Sequence, residues 1–327
     1  MNQNRNSFLR EATALHLEGR FDEAENIYRR LLTEDELSAA VHNNLAFLLS
    51  QQGKYEEAVI EYRRAIVIDP EYATAYANFG QTLLILGQYH ESGEMLSKAF
   101  ELDPSDFHAN KSLAKFYMVK ADAVEAEKYL KNAFAIRAES ELLLDLAWCL
   151  LAQGKLDEAA NTLNYAEESE KGNPRYQGLW GVIHYAVNNF GQAIHHFRQS
   201  LGLEPENIET RNSLVACLLK IGEMEEARRE MHRILLMHPG HIESLNNLGV
   251  LELAANQTEL SQQYLDKVLE QDAKNDKALY YKAIICIRRD RKNEAQALLS
   301  ILKDLPGSSY ADKAREALEL ISNYQPN

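Results

Sequence analysis

Apolar side chains return along this chain at intervals of three, four and seven. In residues 39–72, AAVHNNLAFLLSQQGKYEEAVIEYRRAIVIDPEY, they fall at Leu45, Ala46 and Leu49, then at Ala58, Tyr62, Ala65 and Ile66. That spacing predicts two amphipathic helices and no strand. Gly53 lies between them, and glycine accepts the left-handed conformation that closes a helix and reverses the chain. Pro70 ends the second helix, because proline has no N–H with which to extend it.

The same grammar recurs at a fixed interval. Ala24, Ala58, Ser92, Ala126, Ala159, Ala193, Ala227, Ser261 and Ala295 are 34 residues apart, with one step of 33. A small side chain at this place in the second helix lets two backbones approach closely, and a larger one overpacks the contact. Gly19, Gly53, Gly87, Gly154 and Gly222 form a turn column, with Asn188, Asn256 and Asp290 standing in elsewhere. Pro70, Pro104, Pro205 and Pro239 form a stop column. A period in this range marks stacked copies of one supersecondary unit. The units are 5–38, 39–72, 73–106, 107–139, 140–173, 174–207, 208–241, 242–275 and 276–309. Unit 4 departs most, with Ala121 at the turn and Ala138 at the stop.

The pattern resembles the tetratricopeptide repeat over residues 5–309. The resemblance implies an all-α fold, a right-handed α-solenoid superhelix of stacked antiparallel helix pairs in a single array. Residues 309–322 read as a C-terminal capping helix, with Tyr310, Ala314, Ala317, Leu318 and Ile321 on one face. Such a helix covers the open apolar end that a solenoid leaves. Residues 1–4 and 323–327 are expected to be tails.

Composition narrows the function. The net charge is −14 and the pI about 5.3. That balance repels phosphate backbones and anionic membranes, so no nucleic-acid partner is expected. No apolar run approaches the roughly 20 residues that span a bilayer; residues 142–152 come nearest and are interrupted by Asp145. The start, MNQNRNSF, lacks an apolar signal region, and a cytoplasmic location is expected. Cys149, Cys217 and Cys286 fall in units that are not neighbours and read as buried thiols.

No phosphate-cradling loop, His-Glu-x-x-His motif or Cys-x-x-Cys pair occurs. His195 and His196 are adjacent and cannot share a helix face, and His232, His238 and His241 cluster at a helix end and a turn. No cofactor, metal or catalytic residue is expected, and the chain does not read as an enzyme.

The resemblance places the first helix of each unit on a concave groove. Asn44, Asn78 and Asn247 share one column there. Asparagine offers both donor and acceptor and suits the backbone of an extended peptide. Similar ladders occur in repeat arrays of O-linked N-acetylglucosamine transferases, which units 2 and 3 resemble. Here Ser112, Asp145, Leu179 and Ser213 interrupt the ladder, and no transferase domain is expected to follow. Units 4 to 6 add Lys111, Lys115, Met118, Trp148 and Tyr185. Trp148 aligns with Lys115 and Gln81 and is expected in the groove, whereas Trp180 aligns with Phe79 and is expected in the core. An exposed Trp beside Met and Tyr is the composition of a binding hot spot. A chaperone-type carboxylate clamp is not completed in any three successive units.

The expected function is a non-catalytic scaffold that holds an extended or helical segment of a partner protein in this groove. Two alternatives stay open: self-assembly into a homo-oligomer, and a stand-alone targeting subunit for a transferase such as a glycosyltransferase.

Overall fold

A computed structural model of the protein describes residues 2–323. Among them are nineteen α-helices and no strand. They fall into two compact units, Met1–Lys171 and Gly172–Asn327. Of the expected tails, residue 1 and residues 324–327 lie outside the described residues.

The first unit holds five helix pairs: α1 (Asn2–Leu17) with α2 (Phe21–Glu34), α3 (Ala39–Gln51) with α4 (Tyr55–Ile68), α5 (Ala73–Ile85) with α6 (Tyr89–Leu102), α7 (Phe107–Val119) with α8 (Ala123–Ile136), and α9 (Ser140–Ala152) with α10 (Leu156–Glu170). The second unit holds α11 (Pro174–Ala186) with α12 (Phe190–Leu203), α13 (Ile208–Ile221) with α14 (Met224–Met237), α15 (Ile242–Ala254) with α16 (Thr258–Gln271), and α17 (Asp276–Arg288) with α18 (Lys292–Lys303). It ends in α19 (Ala311–Asn323), which packs on α18. Ala314 is fully buried there with Leu299 and Leu302, and Ala317, Leu318, Ile321 and Tyr310 surround them. The expected capping helix is therefore present.

Each pair closes the way its sequence dictates. All nine small residues of the 34-residue column are fully buried. Where the second helix offers serine, the first offers glycine: Ser92 Oγ donates to Gly80 O at 2.7 Å, and Ser261 Oγ to Gly249 O at 2.6 Å. A Cβ on Gly80 would lie 2.6 Å from Leu96 Cγ, so these helices touch almost backbone to side chain. At the turns, all five column glycines take positive φ, and so do Asn188, Asn256 and Asp290. Ala121 does too, at 57°, so unit 4 keeps the turn geometry with a residue poorly suited to it.

A second recurring slot joins the fourth residue of a first helix to a residue 19 positions later on the second. In α3 and α4 it holds His42, whose Nδ1 lies 2.6 Å from Glu61 Oε2. In α11 and α12 it holds Gln177, 2.9 Å from His196 Nδ1. In α13 and α14 it holds Arg211, paired with Glu230. The first-helix member also ties down the preceding loop: His42 Nε2 meets Glu36 O at 3.0 Å, Asn110 Nδ2 donates to Pro104 O at 2.9 Å, and Arg211 donates to Pro205 O. Buried polar groups here are spent on loop carbonyls that would otherwise lack partners.

The three cysteines are buried thiols. Burial pushes the Cys217 thiol up to about 11.

Candidate functional site

In the first unit α1 touches α3, α3 touches α5, and α5 touches α7. These first helices share one face. Second helices pack behind them, because the small-residue column draws each one onto its own partner. In the second unit α11 touches α13 and α15 touches α17 in the same way.

Asn44 on α3 and Asn78 on α5 are half-buried on this face. They are linked through Asn43, which the sequence did not single out. Asn78 Nδ2 donates to Asn43 Oδ1 at 3.2 Å, and Asn43 Nδ2 donates to Asn44 Oδ1 at 3.3 Å. The ladder therefore runs Asn44–Asn43–Asn78, with its middle rung buried.

Lys111 on α7 is held by two carboxylates, Glu139 and Glu141, each at 3.0 Å. Burial alone would lower its pKa, but the two carboxylates outweigh burial and raise it. Lys111 is thus a cation already neutralised from within the fold. Lys115 and Met118 on the same helix are half-buried. Trp148 on α9 is 36% exposed, although its neighbours Ala147 and Cys149 are fully buried. A large indole is thus left open to solvent beside a closed core.

The remaining candidates belong to the second unit. Tyr185 on α11 is half-buried and meets Phe190 edge-on at 5.7 Å, at the margin of its own apolar cluster. Asn247 on α15 accepts a 2.7 Å hydrogen bond from Lys277 Nζ. Burial lowers the pKa of Lys277, with Glu243 and Asp276 offsetting part of that effect. Trp180, expected in the core, is half-buried and stacks on His184 and His196 at 5.7 and 6.2 Å.

His195 is exposed while His196 is half-buried, as their adjacency requires. His241 caps α15 by accepting from Ser244 N at 3.2 Å. Among the described residues, no three or more His, Cys, Asp or Glu side chains are grouped to hold a metal ion. No helix there is long and apolar enough to cross a membrane.

Sequence reasoning missed Phe47. It is 38% exposed and occupies the ninth position of α3, the position that Trp148 occupies in α9. The alignment that found Trp148 would have found it, had the column been read back into unit 2. Phe47 lines a cavity of about 330 Å³ with Thr13, His16, Phe21, Tyr28 and Asn44.

Comparison with known proteins agrees with this architecture. Models described as tetratricopeptide repeats match residues 12–40, 73–106, 120–180 and 184–248, and one described as TPR repeat matches 48–84. Trafficking protein particle complex subunit 12 of Homo sapiens is 27% identical over 141 residues, 40% of this chain and 19% of that protein. The Protein CTR9 homolog of Arabidopsis thaliana is 24% identical over 136 residues, 41% of this chain and 12% of that one. The chain thus spans less than a fifth of either relative's length. Among solved structures, the Cut9–Hcn1 hetero-tetramer of the APC/C matches with a TM-score of 0.63 at 18% identity, covering 85% of this chain and 55% of that one. The pilF protein of Pseudomonas aeruginosa matches with a TM-score of 0.58 at 20% identity, covering 64% and 96%. These structural likenesses concern the fold. With its helix pairs, turns and small-residue column all in place, the chain belongs to the tetratricopeptide-repeat family.

Proposed function

We propose that the protein is a non-catalytic interaction scaffold, and that the first-helix face of residues 2–171 binds an extended segment of a partner protein. The exposed indole of Trp148 carries this reading. Exposed tryptophans are typical energetic anchors of protein interfaces. The Asn44–Asn43–Asn78 ladder adds amide donors and acceptors that suit a peptide backbone irrespective of its sequence. Lys111 contributes little, because its charge is already met by Glu139 and Glu141.

The test is calorimetry with a partner captured from native lysate. Trp148→Ala is expected to weaken binding by about 2 kcal/mol or more, with helicity unchanged by circular dichroism. An unchanged affinity refutes the anchor.

Self-assembly is a second reading, favoured by one observation. Between α17 and α19 lies a cavity of about 700 Å³ lined by Ile284, Ile287, Leu320 and Ile321, and Leu320 is 73% exposed. Light scattering over a concentration series decides it: a constant monomer mass excludes it.

A further inference from the structure

The cavity beneath Phe47 differs from the others in what it lacks. It opens between α1 and α3 and has Phe21 and Tyr28 of α2 in its wall. Its lining contains no aspartate, glutamate, lysine or arginine, in a chain that is 26% charged. By contrast, the cavity beside His42 is lined by Arg29, Arg64 and Glu61, and the one beside Arg211 by Arg198, Arg233 and Glu230.

What the cavity does contain is a ring of π-systems. The His16 imidazole stands edge-on to Phe21 at 5.8 Å and to Tyr28 at 6.4 Å, and tilted to Phe47 at 5.6 Å. His16 Nε2 is held against Gln51 Oε1 at 2.9 Å, a bond that spans from α1 to α3. The polar contribution is neutral: Thr13 Oγ1 lies 3.4 Å from Tyr28 OH, and Asn44 completes the lining. At about 330 Å³ the space is at the lower limit of small-molecule sites, which suits one side chain better than a cofactor. Asn44 belongs both to this cavity and to the ladder that leads to Asn78.

We propose that this cavity is a second anchor site, which takes an uncharged aromatic side chain of the peptide bound along the first-helix face. The proposal rests on the function proposed above and adds the chemistry of one residue of the ligand. An aromatic guest gains edge-to-face contacts with the surrounding rings that an aliphatic guest of similar area does not. A charged guest would lose its hydration, and the lining holds no carboxylate, lysine or arginine to meet it.

The probes are single amino-acid amides titrated into the full-length protein and followed by NMR at the His16 ring and at Phe47. N-acetyl-phenylalaninamide, N-acetyl-tyrosinamide and N-acetyl-tryptophanamide are expected to give saturable shifts. N-acetyl-leucinamide should bind about fivefold more weakly, the size of an aromatic pair contribution, and N-acetyl-aspartamide should give no saturable shift. Gln51→Trp, an exposed position at the mouth, should close the cavity and abolish the shifts with the thermal melt unchanged. Phe47→Ala should reduce the aromatic preference and leave the fold intact.

Equal shifts from all five amides, or none from the aromatic ones, overturn the proposal, as does undiminished binding in the Gln51 variant. Trp148→Ala should leave these titrations unchanged. Loss of the Trp148 anchor and loss of this cavity are thus separate results.

Discussion

The pair α3–α4 and the pair α13–α14 fill the same slot with different chemistry. In one, a buried imidazole faces Glu61; in the other, a buried guanidinium faces Glu230. Both first-helix members also hold the carbonyl six residues earlier. The geometry is therefore shared, and the difference lies in what each cation does when its partner is removed. A histidine can release its proton and remain a neutral hydrogen-bonding group, whereas an arginine cannot. In these two pairs the loop carbonyl and the carboxylate accept from either cation, so the hydrogen bonds are shared while the obligation to stay charged is not.

The largest effect expected from this comparison comes from deleting the carboxylates. Glu230→Gln leaves Arg211 charged and enclosed, and should destabilise the second unit by about 3–5 kcal/mol. Glu61→Gln should cost the first unit only about 1–2 kcal/mol, since His42 turns neutral and keeps a hydrogen bond. Native-state hydrogen exchange at α13 and α3 reads the two separately. Equal losses would break the comparison.

A smaller effect is a difference in pH response. Burial alone would lower the His42 pKa, but the bonds to Glu61 and the Glu36 carbonyl, with the charge of Glu61, raise it above the usual 6.5. A raised folded pKa stabilises the folded state below 6.5, and that contribution is lost as the pH rises through the folded value. His196 goes the other way. Burial first, then His184 and His195, lowers it to about 4, so its contribution is present above 6.5 and fades as the pH falls from 6.5 towards 4. Exchange protection should therefore fall at α3 as the pH rises above 6.5 and at the α11–α12 pair as it falls below 6.5, with α13 changing at neither. A flat profile at α3 and α11 would show that neither imidazole is linked to folding.

The smallest effect concerns another shared slot, the turn. Ala121 adopts the left-handed conformation that glycine takes at Gly53 and Gly87. Ala121→Gly should stabilise the α7–α8 turn by about 1 kcal/mol, read as a raised melting temperature. Destabilisation would mean that the methyl group makes a compensating contact.

Much of this molecule was legible in the sequence. The small-residue column marks the fully buried contacts, and the Gly, Asn and Asp column marks the left-handed turns. Both are local requirements of backbone geometry, which repeat wherever the geometry repeats. Trp148 was legible because an indole at a solvent-facing register position stands out. Asn43 was not, because its role depends on Asn78 from the next pair. The cavity at His16 and Phe47 was hidden for the same reason: its walls come from three helices, and each ring taken alone reads as ordinary amphipathic patterning. The neutralisation of Lys111 by two carboxylates was hidden too: Glu141 comes from the next repeat, and Glu139 lies just before α9 and carries no periodic signal.

The Ser92–Gly80 and Ser261–Gly249 contacts carry a consequence for anyone assembling chimeric arrays. In those repeats the hydroxyl and the missing side chain form a matched set, seated on Leu96 and Leu265. A graft whose junction falls at the turn inside such a pair would bring in one member without the other and jam or hollow the contact. Junctions placed in the loops after Leu102 or Gln271 move the set intact, so the transplantable cassette here is the whole hairpin.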